Sequence, residues 1–150
     1  MNVVILGCGR VGSNLAKMMQ RDGASVTVID LQGEAFRRLG TKFKGSRIVG
    51  NGIDEDVMRK AGIETADVFV AVTQGDNRNI MAVQIAKHTF NVAQVIARIY
   101  DPVRADRYRQ MGIVTLCTTT IASGLIRDFI ASGEWGIKKD YSEEFAALNL

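Results

Sequence analysis

The residues best placed for chemistry stand at the start of the chain. Gly7-Cys8-Gly9-Arg10-Val11-Gly12 is a complete G-x-G-x-x-G, a spacing suited to binding phosphate. Gly7 permits a tight turn, Gly9 keeps side-chain atoms away from an approaching phosphate, and Gly12 lets a following helix pack closely on a sheet. The amides that open such a helix lack intrahelical acceptors, and the helix dipole puts positive charge among them. Arg10 adds a cation at that positive end, an unfavourable place unless its guanidinium reaches an anion. Asp30 closes the next apolar run. A carboxylate there accepts hydrogen bonds from ribose hydroxyls and repels a 2′-phosphate, which favours NAD or an adenine nucleotide over NADP.

A second group of candidates follows the later apolar runs. Asn51 and Gly52 lie after the third, and Asn51 is a neutral amide able to read an adenine edge or a ribose. Thr73 ends the fourth run with a hydroxyl, and Asn79 falls in the first turn of the helix beyond it. Arg98 is a charge inside an otherwise apolar strand, which is costly unless a phosphate or a carboxylate from another subunit pairs it. For Asn51, Thr73 and Asn79, ordinary turn and capping chemistry is an equal alternative.

These residues must be positioned by the elements between them. Strands are expected at residues 3–6, 25–29, 47–49, 67–73, 93–99 and 113–117, from short β-branched runs. Helices are expected at 10–21, at 32–39, from a cap at Asp54 to Lys60, from a cap at Asp76 or Asn77 to about His88, at 103–111 behind Pro102, and at 120–131. Strict alternation of this kind requires a parallel sheet with helical crossovers on both faces. The fold class is therefore α/β: a Rossmann-type doubly wound six-stranded parallel sheet in the order 3-2-1-4-5-6. Ligands of such sheets lie at the carboxyl ends of the strands, where strands one and four diverge.

Composition excludes several alternatives. The 150 residues are 47% apolar and 23% charged, with a net charge of +3. That is one ordinary domain with interspersed charge, not the concentrated basic face of a nucleic-acid binder. Two cysteines, Cys8 and Cys117, and a single histidine, His88, make a zinc site improbable and suit two core thiols in a reducing cytosol. No apolar run approaches a membrane span, and the amino terminus lacks the pattern of a signal peptide. A soluble, cytoplasmic chain is expected, without a metal site or a direct membrane span.

Taken together, the glycine turn, Asp30, Gly50-Asn51-Gly52-Ile53-Asp54, the run Ala61 to Thr73, Asp76-Asn77-Arg78-Asn79 and Val95-Ile96-Ala97-Arg98 resemble the TrkA N-terminal domain, also called KTN or RCK, of bacterial potassium-transport regulators. The family pattern carries an acidic residue where this chain has Asn51. The resemblance covers residues 1–132, with 133–150 left as a C-terminal tail. It implies binding of NAD(H), ATP or ADP. Gly7, Gly9, Arg10, Val11 and Gly12 would hold phosphates and Asp30 the ribose. Asn51, Gly52, Thr73, Asn79 and Arg98 would line the rest of the pocket. It also implies pairing through the last helix into a homodimer, assembly into a higher ring, and regulation of a membrane potassium transporter or channel from the inner face of the cell membrane.

The apolar stripe Ile121, Leu125, Ile126, Phe129 and Ile130 independently suits a C-terminal dimerisation helix, and Tyr141, Phe145, Leu148 and Leu150 suggest an amphipathic tail. All six strand–helix units are spent on the nucleotide half, with His88 away from the expected cleft, so a non-enzymatic, regulatory role is expected. The alternatives are a small NAD-dependent oxidoreductase or dehydrogenase half-domain and, more remotely, an S-adenosylmethionine methyltransferase.

Overall fold

The first strand is hydrophobic on both faces because it lies mid-sheet and is covered on both. The computed structural model describes residues 1–136; the stretch around Tyr141, Phe145, Leu148 and Leu150 lies outside them. The strands are β1 (Asn2–Leu6), β2 (Ser25–Asp30), β3 (Ser46–Val49), β4 (Val68–Ala71), β5 (Gln94–Arg98) and β6 (Val114–Leu116). They form one six-stranded sheet in the order β3-β2-β1-β4-β5-β6, and every pairing is parallel. Residues of β1 alternate between two cores. Val3 and Ile5 join Val26, Val28, Val70, Val72, Ala16, Phe36 and Leu39. Val4 and Leu6 join Ile29, Phe69, Met58, Ile63, Ile80 and Val83 on the other face. Both cysteines are buried free thiols.

The helices are α1 (Arg10–Arg21), α2 (Glu55–Lys60), α3 (Asp76–His88), α4 (Pro102–Gln110) and α5 (Thr118–Ser132). The α1 bounds match expectation, and its buried residues Gly12, Ser13 and Ala16 are small enough to let it lie close on the sheet. Asp54 caps α2 through the amides of Asp56 and Val57. Asp101 caps α4 in the same way through Val103 and Arg104, with Pro102 in the first turn, where its missing N–H costs nothing.

Two expectations need correction, and one short element was not expected. The helix at 32–39 is a 3-10 helix, Gly33–Leu39. Its repeat of three residues per turn places both Phe36 and Leu39 on the sheet, and both are buried. A further 3-10 turn, Ile63–Thr65, follows Gly62 at φ +82° and buries Ile63. Neither Asp76 nor Asn77 caps α3. Gly75 holds the cap position without a side-chain bond, because the Asp76 carboxylate turns away to accept the amides of Tyr100 (2.9 Å) and Asp101 (3.2 Å).

Candidate functional site

The strand order makes β1 the neighbour of both β2 and β4, so the loops leaving β1 and β4 run to opposite sides and open a crevice. A cleft of about 500 Å³ lies there, lined by Gly7 to Val11, Asp30, Gln32, Arg38, Gly52, Thr73, Gln74, Arg78, Arg98 and Tyr100, among others.

Each glycine of the turn is constrained differently. Gly7 has φ +104°, and a Cβ there would come 3.1 Å from the backbone of Val72 and Thr73. A Cβ on Gly12 would overlap the Gly7 carbonyl oxygen. Gly9 is at φ −74°, which any residue adopts, and a Cβ built on it meets no atom within 4 Å. The protein's own packing therefore leaves open the space in front of Gly9. The first bond of α1 runs from the Ser13 N–H to the Gly9 carbonyl (2.9 Å), so helix geometry leaves the amides ahead of it without intrahelical acceptors. No side chain caps them.

Asp30 fixes this turn from the adjacent strand. Its Oδ2 accepts the Cys8 N–H at 2.7 Å and its Oδ1 accepts the Gln32 N–H at 2.9 Å. The carboxylate retains lone pairs toward the cleft, since each oxygen can accept more than one bond. Cys8 is fully buried and its thiol donates to the Ala35 carbonyl (3.4 Å). Burial, reinforced by the Asp30 charge, pushes the Cys8 thiol up to about 11.

At the other end, Asn79 is fully buried. Its Oδ1 accepts from the Thr73 amide (2.9 Å) and hydroxyl (2.7 Å), while its Nδ2 donates to the carbonyls of Thr73 (3.0 Å) and Arg98 (2.8 Å). One carboxamide thus ties the end of β4 to the end of β5 with its hydrogen-bonding capacity taken up. Arg98 is only 9% exposed. Its Nη2 donates to the Thr73 carbonyl at 2.8 Å, and its guanidinium lies 4.7 Å from the centroid of the Tyr100 ring. Among the described residues its buried Nε has no partner. The charge expected to meet a phosphate or a carboxylate has, among the described residues, a carbonyl and an aromatic ring instead.

The structure therefore brings Gly7, Gly9, Arg10, Val11, Asp30, Gly52, Thr73 and Arg98 to one cleft. Gly12 and Asn79 stand behind it as packing and bracing groups. Asn51 is exposed and outside the lining, with its Oδ1 accepting the Ile53 amide at 3.4 Å in a local turn.

Sequence reasoning missed Gln32, Arg38, Gln74, Arg78 and Tyr100. The argument that singled out Arg10 applies equally to Arg78, another cation in the first turn of a helix. Tyr100 follows Arg98 at the two-residue spacing that shares one side of an extended chain. Among the described residues, four arginines line the cleft and Asp30 is the one carboxylate there. Elsewhere Arg21, Arg37, Arg59, Arg109 and Arg127 each have a carboxylate within 4 Å. Among the described residues, Arg10, Arg38, Arg78 and Arg98 form no such pair, and neither do Arg47, Arg104 and Arg107 outside the cleft.

The family model of the TrkA-N domain matches residues 3–119. The chain is 47% identical over 141 residues to the Trk system potassium uptake protein TrkA of Streptomyces coelicolor, covering 93% of this chain and 63% of that protein. A TrkA homolog of Pyrococcus abyssi is 36% identical over 102 residues, covering 68% of this chain and 45% of its own length. The chain spans between about a fifth and two thirds of the length of the curated relatives it matches. Among solved structures, the TrkA-N domain of the inner membrane protein ybaL of Escherichia coli superposes with TM-score 0.76 at 18% identity, over 85% of this chain and 95% of that one. The GsuK channel bound to NAD superposes with TM-score 0.74 at 19% identity, over 88% of this chain and 23% of that one. The structure of GsuK bound to ADP gives TM-score 0.74 at 19% identity, over 89% and 34%. At such identities the likeness concerns the fold alone.

Proposed function

Because the chain belongs to the TrkA-N domain family, we propose that it is the nucleotide-binding regulatory part of a potassium-uptake system, holding an adenine nucleotide or NAD(H) as a signal and leaving it chemically unchanged. The observation that carries this reading is the open space before Gly9. Sterics inside the protein account for Gly7 and Gly12 but not for a glycine at position 9, whereas a phosphate lying on the first amides of α1 does account for it. The residues fit such a ligand. The Gly7–Val11 turn would take the phosphates, Asp30 a ribose, and Arg98 with Thr73 the distal portion, while the guanidiniums of Arg10, Arg38 and Arg78, which have no carboxylate partner among the described residues, supply counter-charge.

The potassium-transport role is carried over from the relatives' names. In this reading the chain works at the inner face of the cell membrane beside a transporter or channel subunit. A second copy of the chain covers α5, and further copies close a ring. No residue of α5 is buried, and Ile121, Ile126, Phe129 and Ile130 stand exposed along it. A self-complementary apolar stripe of this kind suits a two-fold pair.

Calorimetry against ATP, ADP, NAD and NADH tests the reading. Saturable binding of at least one, without its conversion on prolonged incubation, is expected; no binding of any of the four would overturn it. An oxidoreductase would instead reduce NAD in the presence of some substrate.

A further inference from the structure

Helix α5 is attached to the body of the domain at its start. None of its residues is buried. Its first turn, however, is bonded to one backbone atom: the Thr119 Oγ–H donates to the Tyr100 carbonyl at 2.8 Å, and the thiol of the preceding Cys117 donates to the same oxygen at 3.5 Å. Tyr100 is also a wall of the cleft. Its ring carries the Arg98 guanidinium, and its own N–H is held by Asp76. A single residue thus presents its ring to the candidate ligand site and its carbonyl to the exposed apolar helix.

We propose that Tyr100 is a positioning residue that couples occupancy of the cleft to the setting of α5, through its ring on the Arg98 side and its carbonyl bond to Thr119 on the other. The proposal rests on the nucleotide reading above. Arg98 has donor capacity to spare, including a buried Nε without a partner among the described residues. An anionic ligand that engages the guanidinium changes the surface on which the Tyr100 ring rests. The Tyr100 backbone is bonded at its N–H by Asp76 and at its carbonyl by Thr119, so a ligand that re-seats the ring together with its Cα moves an atom to which α5 is bonded. What the ligand does to the ring is therefore felt at the first turn of α5, and the effect is reciprocal: whatever fixes α5 alters affinity in the cleft by the same factor.

Hydrogen exchange on the 150-residue chain tests this, read at the amides of Ile121 to Ser123 with ADP and with NADH in parallel. With the tighter of the two ligands at saturation, these amides are expected to exchange about tenfold more slowly than without it. Thr119→Val should abolish that slowing without abolishing ligand binding, its effect on affinity staying within the same tenfold factor, and Thr119→Ser, which restores the hydroxyl, should bring the slowing back. Tyr100→Leu should also abolish it, and Tyr100→Phe, which keeps the ring, should retain it. The fluorescence of Trp135, the only tryptophan of the chain, stacked 4.5 Å from Phe129 beyond the end of α5, gives a second reading of the same helix and should respond in the same variants. Ligand binding that leaves the α5 amides unchanged would overturn the coupling and spare the nucleotide reading. So would full slowing in Thr119→Val or Tyr100→Leu. Failure of the unaltered chain to bind either ligand, with ATP and NAD also inert, would overturn both.

Discussion

Alanine at position 9 asks whether the turn is shaped for the protein or for what it holds. The backbone there is at φ −74° and an added Cβ has no neighbour within 4 Å, so Gly9→Ala is expected to change unfolding free energy by less than about 0.5 kcal/mol while weakening nucleotide binding by tenfold or more. Gly7→Ala should do the reverse in stability. With φ +104° and the Thr73 backbone 3.1 Å from the new atom, it should cost about 2–4 kcal/mol. Urea unfolding and calorimetry on the two variants separate these outcomes. Cys8 offers a pH test. Its folded pKa lies at about 11 against an ordinary value of 9.0, so the folded state keeps the proton in a range where the unfolded state loses it. Stability from this group is complete below about pH 9 and is lost as pH rises to about 11, by about 2 kcal/mol in all. Cys8→Ala should flatten that part of the stability–pH curve; an unchanged curve would refute the assignment.

The elements show how much of the site the chain announces in one dimension. The alternation of apolar runs with helix-period stretches was enough for six parallel strands in the observed order, and the glycine turn with Asp30 located one end of the cleft. The other end was legible only as residue types. Asn51 stands between two glycines and Asn79 in the first turn of a helix, and neither setting says which amide is buried. What separates them is the packing of α3 against β4 and β5, which buries Asn79 and surrounds it with four partners, while Asn51 stays in an exposed turn. Asn79→Ala should therefore cost about 3 kcal/mol, since it orphans the Thr73 amide and removes a brace on Arg98, and should weaken ligand binding as well. Asn51→Ala should lie within about 0.5 kcal/mol. Thermal or urea unfolding of the pair decides it. The 3-10 form of Gly33–Leu39 was illegible for a related reason: Phe36 and Leu39 satisfy either helical period, and contact with the sheet selects the tighter one.

At the scale of the whole molecule, the apolar surface is distributed unevenly. Both faces of the sheet are covered, while Ile130 on α5 is left at 79% exposure and Trp135, just beyond it, at 57%. If a second copy covers that face, Ile126→Glu together with Ile130→Glu should shift the chain from dimer to monomer in light scattering at micromolar concentration without lowering the unfolding midpoint of the monomer. A dimer that survives both charges would place the interface elsewhere. The way α5 is attached gives this surface a geometric property. The helix has 15 residues, so it is about 22 Å long, and its bonds to Tyr100 lie at one end. It is a lever with its fulcrum at the wall of the cleft. A rotation of about 10° at the Tyr100 carbonyl would sweep the far end through about 4 Å, comparable to the one-turn steps by which packed helices change register. A displacement of a few tenths of an ångström in the cleft would be multiplied along the helix before it reached Ile130 and Trp135.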